Sequence, residues 1–287
     1  MKNRAVMRGW RLGGLLCVLL GQAGCAVFVG ESPVPPRKPP ELTPAGETLS
    51  DLHALPKPKG PITVAEYGFR DQTGQYRPAP ASSFSTAVTQ GAGSMLVKAA
   101  LESGWFIPVE RENLQDLLTE RKIARASGEQ RQNTTDLPPL YASSILLTGG
   151  IVAYETNVKT GGAGARYFGI GASELYRMDQ VTVNLRAVDI RTGQILDSVS
   201  TSKTIYSYQL DTGVFRFVRF KRLLELEAGY SRNEPAQLCV RDAIESALVH
   251  LIAKGIKQGL WQLQNPEDTK SPVINAYLRD QELLAAD

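Results

Sequence analysis

The sequence predicts a mixed α/β domain, and three observations carry that expectation. Strand-like and helix-like periodicities follow one another in the order β, α, β, α, then three strands in succession and a final long helix. After position 24 no run of about 20 apolar residues occurs, so any membrane crossing by this part of the chain falls to β-strands. Two stretches rich in glycine and aromatic residues, 155–180 and 202–230, adjoin the candidate sheet strands and extend beyond them.

Residues 1–24 have the pattern of an export signal. Lys2, Arg4, Arg8 and Arg11 come first, then the apolar run Leu12 to Leu20, then Gly21, Ala23 and Gly24. Ala23-Gly24-Cys25 resembles a bacterial lipoprotein cleavage site, which leaves Cys25 as a lipid-bearing N-terminus. Gln22 departs from the leucine usual three residues before the cysteine. Ala26 follows in place of Asp, the pattern of lipoproteins sent to the outer membrane. Removing four cations from the 32 Lys and Arg turns the formal +3 slightly negative against 29 Asp and Glu. No clustered excess of Lys and Arg remains, and a nucleic-acid partner is not expected. Cys17 leaves with the signal, so lipidation of Cys25 makes Cys239 the lone free thiol.

Proline-rich Glu31 to Pro61 reads as an extended tether, giving a lipidated N-terminal segment over 25–61 and an ordered domain over 62–287. Ile62–Phe69 is a strand by its β-branched and aromatic content. The loop 71–84 contains Pro78 and Pro80, which exclude helix. Ser85 or Thr86 can cap a helix running to about Glu102. Trp105–Pro108 is a short strand. A second helix spans about Arg111–Ala126 on Leu114, Leu117, Leu118 and Ile123, and Ser127–Asp136 reads as an exposed loop. Ser144–Tyr154 is a buried strand weakened by Gly149 and Gly150. Val181, Val183, Leu185 and Ala187 alternate with polar residues, the sign of a half-buried strand. Arg191–Gln194 turns the chain into Ile195–Ser200. A helix of about 20 residues carries Leu238, Ala243, Ile244, Ala247, Leu248, Leu251, Ile252 and Ile256 and stops at Gly259. Val273–Leu284 forms a last helix.

The stretch 202–230 admits two readings. Leu224, Leu226, Ala228 and Tyr230 alternate with Glu225, Glu227 and Gly229, as in a strand between lipid and water. The first half alternates less cleanly, since Ile205 falls on the polar side. Phe215, Phe217 and Phe220 mixed with Arg216 and Arg219 suit a hairpin end at a membrane interface. The alternative is a surface hairpin, or a short helix through Lys221–Glu227.

No catalytic constellation emerges, and no enzyme is expected. A dinucleotide fingerprint would need glycine where Tyr167 stands, and no GK[ST] pair follows the glycine-rich run. His53 and His250 have no metal-ligand partners at usable spacing. Cys239 and His250 lie roughly 16 Å apart along one helix, so Cys239 reads as a buried small residue. Glu225 and Glu227 share one face of a strand, which suits an acid/base pair or a polar lumen equally.

Several longer motifs then coincide: FSTAV, WFIPVERENLQDLLTERK, NVKTGGAGARYFGIGA, STSKTI, GVFRF, RLLELEAGY and SRNEPAQLC. With the signal and tether, they make the chain resemble the curli secretion channel lipoprotein family (CsgG type) over nearly all of its mature length. The resemblance implies an α/β periplasmic domain, lipid-anchored at the outer membrane, with hairpins inserted at about 156–180 and 202–232. Those hairpins would form part of an oligomeric transmembrane β-barrel. It also implies a ninefold ring, unfolded curli subunits as cargo, a periplasmic cap factor, a surface accessory factor, and nucleotide-independent export by confinement and diffusion. No cofactor is expected beyond the lipid on Cys25. Edge physics asks for neighbours independently: two hairpins give four strands, whereas an isolated barrel takes about eight or more, and an open edge in lipid leaves backbone groups unsatisfied.

The family's constriction carries Tyr, Asn and Phe on a loop matching about 71–85. The corresponding residues here are Ala79, Ser83 and Phe84, so only Phe84 is retained. The implied constriction is a ring of phenylalanines with two wider levels beside it. Glu225 and Glu227 would face the lumen, and Leu224, Leu226, Ala228 and Tyr230 the membrane. The competing expectation is a monomeric periplasmic lipoprotein that binds partners and forms no pore.

Overall fold

A computed structural model describes residues 39, 46, 48–77, 85–130, 137–160, 175–210, 214–218 and 234–286. The chain divides into two units, Met1–Pro44 and Ala45–Asp287, and every element described here lies in the second. The elements are α1 (Leu49–His53), β1 (Ile62–Glu66), β2 (Arg70–Asp71), α2 (Ala92–Glu102), β3 (Phe106–Val109), α3 (Leu114–Gln130), β4 (Ile145–Thr160), β5 (Leu175–Asp189), β6 (Ile195–Leu210), β7 (Val214–Val218), α4 (Glu234–Lys257) and α5 (Pro272–Ala286), with a 3-10 turn at Pro266–Lys270 before α5. Among the described residues no helix is long and apolar enough to cross a membrane.

Among the described residues seven strands form one mixed sheet, six of them in the order β3-β1-β4-β5-β6-β7 and β2 off that path. β1 lies parallel to both β3 and β4, and β2 continues beside β4 through Arg70↔Gly150 and Asp71↔Ile151. From β4 to β7 every pairing is antiparallel. The expected α/β class and the late run of strands agree with this arrangement. Val181, Val183, Leu185 and Ala187 are all fully buried, as their alternation with polar residues predicts.

α4 covers one face of the sheet. Along its middle Val240, Ala243, Ile244, Ala247, Leu248, Val249, Leu251, Ile252 and Ala253 are buried among the sheet, α1, α2 and α5, and Asp242 and Glu245 are buried with them. It is therefore a central core helix, more enclosed than an amphipathic surface helix. The opposite face of β5 and β6 is more exposed and carries small polar residues that bond to one another. Thr182 shares a hydrogen bond with Ser202 at 2.8 Å, and Asn184 donates to Ser200 Oγ at 3.0 Å.

Several boundaries differ from the sequence expectation, each for a local reason. Folded structure begins before Ile62. Leu49, Leu52 and Leu55 recur on one side, Leu52 is fully buried, Trp105 Nε1 donates to the Pro56 carbonyl (2.9 Å), and Lys59 N–H to the Gln262 carbonyl (2.8 Å). Strand β1 stops at Glu66 because its carboxylate accepts the Gly68 and Phe69 N–H groups, turning the chain. Helix α2 begins at Ala92, not at Ser85 or Thr86. Thr86 instead bridges to Tyr76, and its hydroxyl donates to the Val88 carbonyl (2.9 Å). Helix α3 runs on to Gln130, since Ser127, Gly128 and Glu129 continue it without a cap to stop it.

The largest change concerns β6, which the sequence bounds at Ser200 and which runs as one strand through Leu210. Thr201 Oγ1 donates to the Ala243 carbonyl (2.7 Å), Lys203 pairs with Asp242 (3.3 Å), and Ile205 is buried. Odd-numbered positions here therefore face α4. Ile205 is no exception to the alternation: the side taken as polar is the side the helix covers.

Candidate functional site

The segment after β2 leaves the sheet as a loop with two anchored limbs. On the outgoing limb, Gln72 N–H donates to the Ile151 carbonyl (2.9 Å) and the Gln72 side-chain amide to the Gly149 carbonyl (2.8 Å). Asp71 Oδ1 accepts from the Thr73 N–H (2.8 Å) and hydroxyl (2.7 Å), an Asx-type turn that bends the chain away from the sheet. Gln90, on the returning limb, reaches Asp71 Oδ2 at 3.3 Å. Farther out the limbs bond directly, through Ala87 N–H to the Gln75 carbonyl (2.8 Å) and Arg77 N–H to the Ser85 carbonyl (2.9 Å). The sequence places Ala79, Ser83 and Phe84 between these joined limbs, and all three lie outside the described residues.

The glycine pair in β4 explains how the loop comes so close. Gly149 has φ +143°, and a Cβ there would stand 2.0 Å from the Asn184 carbonyl oxygen. A Cβ on Gly150 would stand 2.4 Å from the Arg70 carbonyl oxygen and 2.7 Å from Gln72 Nε2. The pair admits two neighbouring strands and the loop's first limb at once. Asp71, Gln72 and Gln90 were not singled out in the sequence. The signal that could have found them is the doubled glycine, which marks close backbone approach.

The second feature is the length of three adjacent strands. β4, β5 and β6 have 16, 15 and 16 residues, about three times the common strand length. Pairing of β4 with β5 continues to Thr160↔Leu175, and β6 pairs with β7 up to Leu210↔Val214. That last pair puts the turn before Phe215. Phe215 and Phe217 lie at the start of the returning strand β7, Phe215 one pair from the turn. Cys25 and Leu224, Glu225, Leu226, Glu227, Ala228 and Tyr230 lie outside the described residues.

Where the long strands leave the cover of α4, buried polar groups tie them to it. Asp179 of β5 is fully buried, its Oδ1 accepts the Tyr154 hydroxyl at 2.8 Å, and its carbonyl accepts the Cys239 thiol at 3.6 Å. Burial, and then the charges of Asp179 and Asp242, push the Cys239 thiol far above its ordinary pKa. It is a packing residue, as expected. Arg241 lies 3.6 Å from Glu245, yet burial dominates and pushes the Glu245 carboxyl up to about 7, with Asp242 and Glu102 adding to the rise. His250 accepts or donates at Nδ1 with Gln281 of α5 (3.1 Å) and packs edge-on to Tyr277. Burial lowers its pKa against the smaller upward pull of Asp280. Among the described residues no group of three or more His, Cys, Asp and Glu is placed to hold a metal ion.

These two groups work in opposite directions. Glu245 binds its proton more tightly folded than unfolded, so its contribution to stability is lost as pH rises from 4.5 through about 7. His250 binds its proton less tightly when folded, so its contribution is present above 6.5 and is lost as pH falls below that. Glu245→Gln is therefore expected to leave a melting temperature that falls more steeply with acidification below pH 6.5 than the wild-type curve does. Parallel thermal-melt curves for the two proteins across that range would count against this.

Fold and site together define an α/β domain that sends long paired strands and an anchored loop outward from one sheet. Residues 45–280 match the family described as curli production assembly/transport component CsgG, and the chain belongs to that family. It is 50% identical over 269 residues to the curli production assembly/transport component CsgG of Salmonella typhimurium, covering 92% of this chain and 95% of that one. Identity to the protein of the same name from Escherichia coli K12 is 48% over 269 residues, with the same coverage. A PelC dodecamer from Paraburkholderia phytofirmans is matched at TM-score 0.29 and 12% identity, over 66% of this chain and 87% of that one. That likeness is too slight to bear on assembly.

Proposed function

We propose that this protein is a secretion channel of the bacterial outer membrane that exports unfolded curli-type amyloid subunits. The observation that carries the reading is the sheet's continuation: β4 with β5, and β6 with β7, stay paired well beyond the part that α4 covers. Strands of 16 residues span roughly 50 Å; β4 is still buried at Tyr154 and runs on to Thr160, the beginning of the 9–11 residues that a strand needs to cross a bilayer. Family membership supports the same reading, since the relatives are named as curli assembly and transport components.

In this mechanism Cys25 carries the lipid that holds the chain at the outer membrane, with the α/β domain in the periplasm. Each subunit contributes two hairpins, and a homo-oligomeric ring, ninefold in the expected form, closes the edges that one subunit leaves open. Leu224, Leu226, Ala228 and Tyr230 face lipid, and Glu225 and Glu227 line the lumen. The loop bearing Ala79, Ser83 and Phe84 narrows the channel, Phe84 supplying an apolar ring past which an extended chain slides. Nucleotide has no part in transport. A periplasmic cap factor and a surface accessory factor bound the path at its two ends.

Extraction in mild detergent followed by imaging tests the reading directly. Rings with a central opening, which conduct ions in a planar bilayer, are the expected result. Particles of single-subunit size would sink it in favour of a partner-binding lipoprotein.

A further inference from the structure

We infer that Gln72 is the positioning residue that sets how the channel loop sits against the barrel-bearing sheet. This rests on the channel reading above. Three observations converge on it. Its side-chain amide donates to the Gly149 carbonyl at 2.8 Å, and its own N–H donates to Ile151 two residues farther along the same strand. One residue thus grips β4 at two levels. Gly150 lies between those levels, and a Cβ there would come within 2.7 Å of the amide nitrogen, so the strand is cut away where the Gln72 side chain passes. Finally, β4 is the strand that runs on to Thr160, so the loop's foot is referenced to the same strand that enters the first hairpin.

The remaining anchors do a different job. Gln90 joins the returning limb to Asp71 of the outgoing one, as do the backbone bonds at Gln75–Ala87 and Arg77–Ser85, while Thr73 bonds back to Asp71 within the outgoing limb. They keep the loop's shape. Its height on the sheet is set by the pairing of β2 with β4 and by the two bonds of Gln72, and of these the Gln72 side-chain bond is the one open to substitution. Gln72 itself is exposed, so its loss removes the bond without opening the core.

The chemistry gives a test that a general structural effect would not mimic. The Gly149 carbonyl can only accept, so residue 72 must donate. Glutamine donates at every pH, alanine never, and glutamate only when protonated, below a pH of about 4.3. In rings reconstituted into planar bilayers, Gln72→Ala is expected to raise open-channel current noise at pH 7 and at about pH 3, where a glutamate is almost wholly protonated. Gln72→Glu should be noisy at pH 7 and become as quiet as wild type at the acid pH. Loss of one such bond shifts the ratio of seated to released loop about two- to fivefold, the equivalent of ~0.5–1 kcal/mol. Wild-type rings that conduct, with both variants equally quiet at pH 7, would overturn the positioning role and leave the channel standing. A glutamate variant that stays noisy in acid would overturn the donor argument. A wild-type protein that never conducts would overturn the channel reading itself.

Discussion

Phe84→Ala is expected to raise the unitary conductance of the assembled channel severalfold while leaving thermal stability close to wild type. On the proposed loop the levels of Ala79 and Ser83 are already wide, so Phe84 alone sets the narrowest aperture. In the proposed ring, symmetry multiplies the change, because each subunit withdraws one phenyl group from the same axis. Conduction through an apolar constriction depends steeply on its diameter and wetting. Stability should barely move because the limbs of the loop are joined below that position by the Arg77–Ser85 and Gln75–Ala87 bonds. Single-channel recording in a planar bilayer reads the first quantity and a thermal melt the second. An unchanged conductance would place the aperture elsewhere. A large drop in melting temperature would make Phe84 a packing residue.

What the sequence disclosed and what it hid divide along a physical line. Period-two alternation at Val181–Ala187 identified β5 because each residue meets an environment decided by parity alone. The α4 segment was legible for a similar reason, since its apolar positions recur over many turns. Parity failed to assign the sides of β6. Thr201 and Lys203 are polar by type but serve the covered face, one through the Ala243 carbonyl and the other through Asp242. A pattern read as apolar against polar cannot anticipate a polar side chain whose partner comes from a helix some forty residues later.

The tether shows the same limit from the other side. Proline content made the segment before Ile62 look extended, and Pro56, Pro58 and Pro61 are indeed not helical. Yet a proline carbonyl still accepts a bond, and Pro56 receives the Trp105 indole, while the neighbours of Pro58 make its bridge to Leu263, Lys59 N–H donating to the Gln262 carbonyl and Gln264 N–H to the Lys57 carbonyl. Leu52 then fills the core beneath α4. For the candidate site the glycine pair was visible, but its reason was not. Gly149 and Gly150 looked like weak points in a strand, whereas the structure makes them the place where Arg70, Gln72 and Asn184 come closest.

Gly255→Ala offers a test in which local propensity and tertiary packing predict opposite signs. Within a helix, replacing glycine by alanine is worth about 1 kcal/mol of stabilisation. Here, however, Gly259 (φ +74°) ends α4 and lets Trp261 fold back across Gly255. A Cβ at 255 would stand 2.0 Å from Trp261 Cε2 and 2.3 Å from Nε1. That indole is 6% exposed, donates from Nε1 to the Ile252 carbonyl at 2.9 Å, and meets Phe106 of β3 edge-on at 6.4 Å. Admitting the methyl group means moving the ring, losing that bond and disturbing the contact with β3. Overpacking and an unsatisfied buried indole N–H each cost about 1–3 kcal/mol, so the variant should be less stable by roughly 2–4 kcal/mol after the propensity gain. Denaturant unfolding of the detergent-solubilised protein measures this. The cause is isolated by repeating the substitution in a Trp261→Ala background, where the obstacle is gone and the same change should stabilise. A destabilisation of equal size in both backgrounds would show that the clash with Trp261 is not what requires glycine at 255.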